Sequence, residues 1–342
     1  MRHVLCIVQS SVPSTEISLI RPFTYLQSIG KLTWKIVVED QFSPELLKEI
    51  DIVIFQRNCR PNSRGILSIV KNAQIPVIYE IDDNFLKIPD NLPGSRYYKL
   101  PAVVNTIETF IKLANVVKAG SPEMIPELSQ WNKNVVHHPY AVDLSIIDNM
   151  APKKHNNFII GYAGTIHHNY DFEPIIGAIL QVAERFPDIH WEFIGCQPEG
   201  LEKINNIFFT KFQSSYECFL RDLYQRGWQI GLAPLKDTPS NRCKTDNKFR
   251  EYSACGIPGI YSNIPPYSRT IAANTTGLLA DNTISAWTEA LLSLIQNSNL
   301  RLQIAEQSRK WVEQYRSLPA IAELWESLFE MITNPEGGTL NG

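Results

Sequence analysis

A run ending in Pro234 and Leu235 reads as a strand and leads through a polar loop into KTDNKFREYSACGIP, residues 244–258. Thr245 suits the N-cap of a helix, and Gly256 followed by Pro258 suits its end. Lys244 stands at the mouth, Lys248 follows one turn later on the face of Thr245, and Glu251 comes three residues on. A helix start offers unpaired N–H groups and the positive end of the peptide dipoles. Two lysines there suit a diphosphate, and a carboxylate one turn deeper suits both hydroxyls of a ribose. That order along the helix is the order of groups in a nucleoside diphosphate. The competing reading is a surface helix with a Lys248–Glu251 ion pair, which is worth little. The position at the C-terminal end of a strand favours the ligand.

Other candidates are scattered along the chain. NFIIGYAGTIHHNYDFEP places Gly164 and Thr165 after a strand, and Asp171 is expected to cap a helix with Pro174 in its first turn. The fingerprint G-x-G-x-x-G is not present. His167 and His168 touch a ligand, or decorate a loop. VIYEIDDNFLKIP sets Asp82 and Asp83 past another strand, as carboxylates for ligand hydroxyls, as loop-bonding residues or as a metal pair. Arg21, after SSVPSTEIS, reaches an anion or pairs with Glu16. His137 and His138 precede Pro139, and one of them lines a cleft or is a hydrogen-bonded core residue. The loop Pro93 to Pro101 mixes Arg96, Tyr97, Tyr98 and Lys99, a combination for a membrane interface, a lipid-linked ligand or plain surface. The six cysteines form no CxxC pair, so neither a disulfide framework nor a zinc site is expected.

These residues need a frame. A chain of 342 residues with 44% hydrophobic and 20% charged residues is long enough for two domains and too apolar for wholesale disorder. Short runs rich in Val, Ile and Phe (HVLCIVQ, WKIVVED, DIVIFQRN, PVIYEID, NVVKAG, NVVHHPY) alternate with helical stretches. Several are apolar on both faces, as in a buried parallel sheet. The pattern restarts at NFIIGYAGT and continues through HWEFIGCQ, NIFFTKF, WQIGLAPL and GIPGIYS. The reading is two tandem doubly wound α/β domains facing each other across a cleft. The expected boundaries are 1–142, a linker over 143–157, a second domain over 158–316, and a helix over 317–334 returning to the first. A net charge of -3 argues against nucleic acid as a partner. Neither an export signal nor an apolar run long enough to span a bilayer is found, so a cytoplasmic protein is expected, at most peripheral on the inner face of a membrane.

The segment from Lys244 to Pro258 resembles the nucleotide-sugar-binding segment of family-4-type (group 1) retaining glycosyltransferases, which have the GT-B fold. Their pattern K-S/T-x-x-K-x-x-E-Y-x-x-x-G-x-P is matched at every fixed position. The resemblance implies transfer of a sugar, with retention, from a nucleotide-diphosphate donor to a sugar, glycan or lipid-linked acceptor, in polysaccharide or glycoconjugate synthesis. It implies that Lys244, Thr245 and Lys248 hold the diphosphate, that the two lysines act in catalysis, and that Glu251 holds the ribose. Gly164 and Thr165 would approach the donor phosphates, while Arg21, Asp82, Asp83, His138 and His167 would face acceptor or cleft. No metal and no cofactor beyond the donor is implied. Many relatives carry a first glutamate eight residues before the one matched by Glu251, where this chain has Cys243. The rival readings are a nucleotide-sugar epimerase, an inactive sugar-nucleotide binder, and a solute receptor, which would need an export signal.

Overall fold

The computed structural model describes residues 1–10, 12–90, 94–151, 157–211 and 215–333. The chain divides into two compact units. The first comprises Met1–Ala141, Cys243–Thr245 and the chain from Ser317, and the second comprises Val142–Arg242 and Asp246–Arg316. The strands of the first unit are β1 (Arg2–Val8), β2 (Leu32–Val38), β3 (Ile52–Gln56), β4 (Val77–Ile81), β5 (Val116–Ala119) and β6 (Val135–His137). Those of the second are β7 (Ile159–Ala163), β8 (His190–Ile194), β9 (Ile207–Thr210), β10 (Ile230–Ala233), β11 (Gly259–Ser262) and β12 (Leu278–Ala280). The main helices are α1 (Arg21–Ser28), α2 (Ser63–Asn72), α3 (Pro101–Leu113), α4 (Ile176–Arg185), α5 (Tyr216–Arg226), α6 (Asn247–Ala254), α7 (Ile284–Gln296), α8 (Ser298–Tyr315) and α9 (Leu318–Thr333).

The first sheet runs β2-β1-β3-β4-β5-β6, with every pairing parallel. Parallel strands need crossovers, and the crossover helices cover both faces, which is why β3 and β4 are buried at every residue. On one face Val53, Phe55 and Tyr79 pack with Leu67 and Val70 of α2 and Phe110 of α3. On the other, Val4, Ile52 and Ile54 pack with Phe23 of α1 and with Ile321, Trp325 and Phe329 of α9. The apolar stripe of the last helix therefore completes the first unit's core, and Trp325 sits edge-on to Phe23 at 4.9 Å.

The second sheet runs β12-β11-β10-β7-β8-β9, again all parallel. Numbered within the unit this is the doubly wound order 3-2-1-4-5-6, whose direction of winding reverses between β7 and β10. In the first unit the reversal falls between β1 and β3. Ile160, Trp191 and Phe193 build one face with Ile179 and Val182 of α4 and Trp287 and Leu291 of α7.

Three local expectations are corrected. The helix expected after Asp171 begins only at Ile176, because Ile166–Phe172 winds in tighter single turns and Asp171 bonds elsewhere. α6 begins at Asn247 with Asp246, not Thr245, at the N-cap position. β12 was not expected at all; its three residues stand alone between Gly277 and Asp281. In the stretch read as a linker, Ser145–Asp148 form a helical turn with Ile146 and Ile147 buried, while residues 152–156 lie outside the described residues. So do Pro93 of the basic-aromatic loop and the tail from residue 334.

His138 also departs from the cleft reading. It is 3% exposed, packs 4.6 Å from the Trp325 ring, and its Nδ1 lies 3.0 Å from the Pro139 carbonyl oxygen. Burial, reinforced by the charge of Lys118, pushes its pKa well below the usual histidine value. The unfolded chain therefore takes up a proton near pH 6.5 that the folded chain refuses. Stability should fall as the pH drops below that point, by about 1.4 kcal/mol per pH unit from this residue. Urea unfolding at pH 7 and pH 5.5 should show the loss in wild type, and His138→Phe should reduce it.

Candidate functional site

Strands β7 and β10 pair only at Ile160–Ile230 and Gly161–Gly231 and then part. The Tyr252 hydroxyl, from α6, stands in the gap. It accepts from the Ala163 amide at 3.3 Å and donates to the Leu232 carbonyl at 2.8 Å, replacing bonds that the ladder no longer makes. Room for its ring comes from Gly231, where a Cβ would lie 2.6 Å from the ring carbon. Tyr252 shares a helix face with Lys248, one turn earlier, so the wedge also aims the lysine at the C-terminal end of β7. The Lys248 ammonium lies 4.9 Å from the centre of the Tyr162 ring.

Glu251 does not pair with Lys248. Its Oε1 accepts from Nη2 of the fully buried Arg250 at 2.9 Å, and Arg250 also donates to the Asn247 side chain at 3.0 Å. Burial raises the Glu251 pKa, with Arg250 and Lys248 opposing. Lys244 and Thr245 are half-buried and belong to the first unit's contacts. Gly164 is buried and Thr165 and His167 are exposed. A Cβ on Gly164 would meet the Tyr162 hydroxyl at 2.5 Å, so packing alone already requires glycine there.

Sequence reasoning missed the group that holds these loops. Asp171, 1% exposed, accepts from the Lys236 amide at 2.9 Å, the Asn241 side-chain amide at 2.8 Å and His168 Nδ1 at 2.7 Å. Asn241, fully buried, also donates to the Lys236 carbonyl and accepts from the Tyr170 hydroxyl at 2.9 Å. One carboxylate thus ties the loop after β7 to the loop after β10, across the reversal point. Beyond the ends of β8 and β9 lies a cavity of about 430 Å³ lined by Gly195, Cys196, Gln197, Thr210 and Lys211 among others. Burial pushes the Cys196 thiol up to about 12, with the charge of Lys248 opposing.

In the first unit, Arg21 pairs with Glu16 at 2.9 Å, the alternative to an anion role. Asp82 is 6% exposed and its Oδ2 accepts from Arg57 at 3.0 Å, whereas Asp83 is half-buried. Cys243 is buried in the apolar cluster around Phe85, and the Asn84 side-chain amide reaches its sulfur at 3.8 Å. Burial raises the Cys243 pKa, and a carboxylate in that place would meet the same desolvation.

Residues 157–297, from the start of β7 through α7, match the family model of group 1 glycosyl transferases. In structure the chain is similar to a glycosyltransferase from Rickettsia africae, with a TM-score of 0.72, 16% identity, and 97% of this chain and 99% of that one covered. It is also similar to Anabaena HepE in complex with UDP-glucose, at a TM-score of 0.69 and 13% identity over 96% and 99% of the two chains. Sucrose-phosphate synthase from Thermosynechococcus elongatus gives a TM-score of 0.69 and 13% identity over 98% and 100%. No curated protein matches the sequence. The fold is that of the GT-B class. The second unit carries a group 1 glycosyl transferase domain over residues 157–297, the mark of a transferase. Among the described residues no helix is long and apolar enough to cross a membrane.

Asp171→Ala would leave three donors at a buried point without their acceptor, each worth about 1–3 kcal/mol when unpaired. Urea unfolding should show a loss of at least about 2 kcal/mol, with a smaller loss for Asp171→Asn. A loss under about 0.5 kcal/mol, the range of neutral surface changes, would deny the tie.

Proposed function

We propose that the protein transfers a sugar, with retention, from a nucleoside-diphosphate sugar to a hydroxyl acceptor in polysaccharide, glycolipid or other glycoconjugate synthesis. The observation that carries the reading is the placement of Lys248 and Glu251 on one helix, aimed at the sheet's reversal point by the Tyr252 wedge. Lys244, Thr245 and Lys248 hold the diphosphate, with the α6 N–H groups and the backbone at Gly164 and Thr165. Glu251 receives the ribose hydroxyls; Arg250 engages Oε1, and ribose binding completes the carboxylate's partners. The base occupies the cavity beyond β8 and β9, whose volume suits a planar ring. As the glycosidic bond breaks, charge grows on the leaving diphosphate. Lys244, Lys248 and the helix N-terminus stabilise that charge more in the transition state than in the ground state. These groups supply the neutralisation, so the reading calls on no cofactor beyond the donor. UDP is the first nucleotide to try, because HepE is described in complex with it.

One observation favours a second reading. Cys243 is a buried thiol where relatives have a sugar-orienting glutamate, which fits a chain that binds the donor without transferring the sugar. The two separate in one assay. Release of nucleoside diphosphate from UDP-glucose and other nucleotide sugars, with and without added glycosides, should show turnover in wild type. Lys248→Ala should lower kcat at least about a hundredfold, the usual cost of one donor to a developing negative charge. A loss of less than about tenfold would remove Lys248 from the reaction, and binding without turnover in wild type would leave the second reading standing.

A further inference from the structure

Asp246 stands at the N-cap position of α6. Aspartate is among the best capping residues, because its carboxylate accepts from the second or third amide of the helix. Here the side chain makes no such bond, and the backbone, at φ -82° and ψ 29°, is not the extended one of a capping residue. The carboxylate is turned to other partners. Arg316 Nη2 donates to its Oδ2 at 3.0 Å, with both side chains 11% exposed. The Thr270 hydroxyl lies 3.1 Å from the same oxygen and 3.3 Å from the Pro266 carbonyl oxygen, so it has two acceptors for one proton and Arg316 is the main hold. Burial raises the Asp246 pKa, and the charge of Arg316 more than offsets it, so the carboxylate is ionised at neutral pH.

The hold is delivered by α8. The Arg316 guanidinium, just past the end of that helix, lies 4.7 Å from the centre of the Trp311 ring, and Trp311 meets Phe249 of α6 edge-on at 5.2 Å. Two turns before Arg316, Arg309 donates to the Ala254 carbonyl at the last residue of α6. A cation there complements the negative end of the peptide dipoles. α8 thus grips α6 at both ends with opposite effect. At the C-terminus it brings a charge that suits the helix, and at the N-terminus it draws away a charge that would suit it. Helix stability alone would leave Asp246 to cap, since an anion is favourable at that end.

We infer that Arg316 and Thr270 are positioning residues for the donor's diphosphate: they hold the Asp246 carboxylate off the first turn of α6, so that the place of a capping carboxylate is left to a phosphate. The two anions are rivals for one helix start. A carboxylate bonded there must be displaced before a phosphate can bind, and it repels the phosphate while it stays. The inference rests on the nucleoside-diphosphate reading above and adds residues from outside the Lys244 to Pro258 segment to it.

The test is isothermal titration of the full chain with UDP, GDP, ADP and TDP. The proteins are wild type, Arg316→Gln, Asp246→Ala, the double variant and Thr270→Val, each checked for cooperative unfolding. Arg316→Gln releases the carboxylate and should weaken the best-bound diphosphate about fivefold or more, the factor that one N-cap represents. Thr270→Val, which removes the lesser hold and guards against an unstable Arg316 variant, should weaken it less. Asp246→Ala removes the rival anion and should bind within about twofold of wild type, and the double variant should return to that level. A pair that only braces the fold would not show this restoration, because the second substitution would not repair the first. Undiminished binding by Arg316→Gln, a loss in Asp246→Ala as large as in Arg316→Gln, or a double variant no better than Arg316→Gln would each overturn the inference and leave the donor site standing. A wild type that binds none of the four diphosphates would overturn the donor reading and this inference with it.

Discussion

The Tyr252 hydroxyl is the bond on which the second unit turns. Two parallel strands that stop pairing leave amides and carbonyls with nowhere to bond, and buried backbone groups cannot be left that way. Tyr252 answers both sides of the gap at once, from a helix rather than from a strand. Because the answer comes from α6, the position of that helix is set by the sheet's reversal point, and Lys248 and Glu251 inherit their positions from it. Gly231 is needed so that the ring fits, and Gly161 makes similar room for Trp228. The motif's tyrosine is therefore structural, and its lysine and glutamate are what the tyrosine delivers.

Both units bury charge at the same kind of place. Asp171 closes the loops at the reversal point of the second sheet, while Glu80 and Lys118 lie fully buried under the reversal point of the first. Burial lowers the Lys118 pKa, with Glu80 opposing, so the pair is weak evidence for stability. Apolar residues of similar volume would fill those positions at less cost in desolvation. What a buried charge network does offer is a floor whose side chains have one arrangement. Arg250 beside Glu251 follows the same logic, since a half-neutralised carboxylate keeps an open oxygen without being expelled to solvent.

Much of the fold was legible because parallel strands covered on both faces are nearly continuous apolar runs. Every strand except β12 stood out in this way. The helix within the Lys244 to Pro258 segment was legible because its signals are local, and spacing along it says that Lys248, Glu251 and Tyr252 lie within one turn. What escaped was non-local. Nothing near Asp171 tells that its partners are Lys236 and Asn241, about seventy residues away, and a capping role was the local guess. Arg57 gave no signal, because its left-handed φ is imposed by its contacts with Asp82, Ser14 and Phe85 from other segments. His138 and its neighbour His137 looked alike in sequence, and only the packing of Trp325 from the far end of the chain made His138 a core residue.

The central claim is that α6 presents a nucleoside-diphosphate site. The most direct measurement is thermal unfolding of wild type and Glu251→Ala with UDP, GDP, ADP, TDP and CMP. A ligand at a hundred times its dissociation constant adds about 2.7 kcal/mol of stability, well within reach of such a measurement. The account predicts stabilisation by one diphosphate and its marked weakening in the variant. No stabilisation by any of the nucleotides, or a shift that Glu251→Ala leaves unchanged, would contradict it.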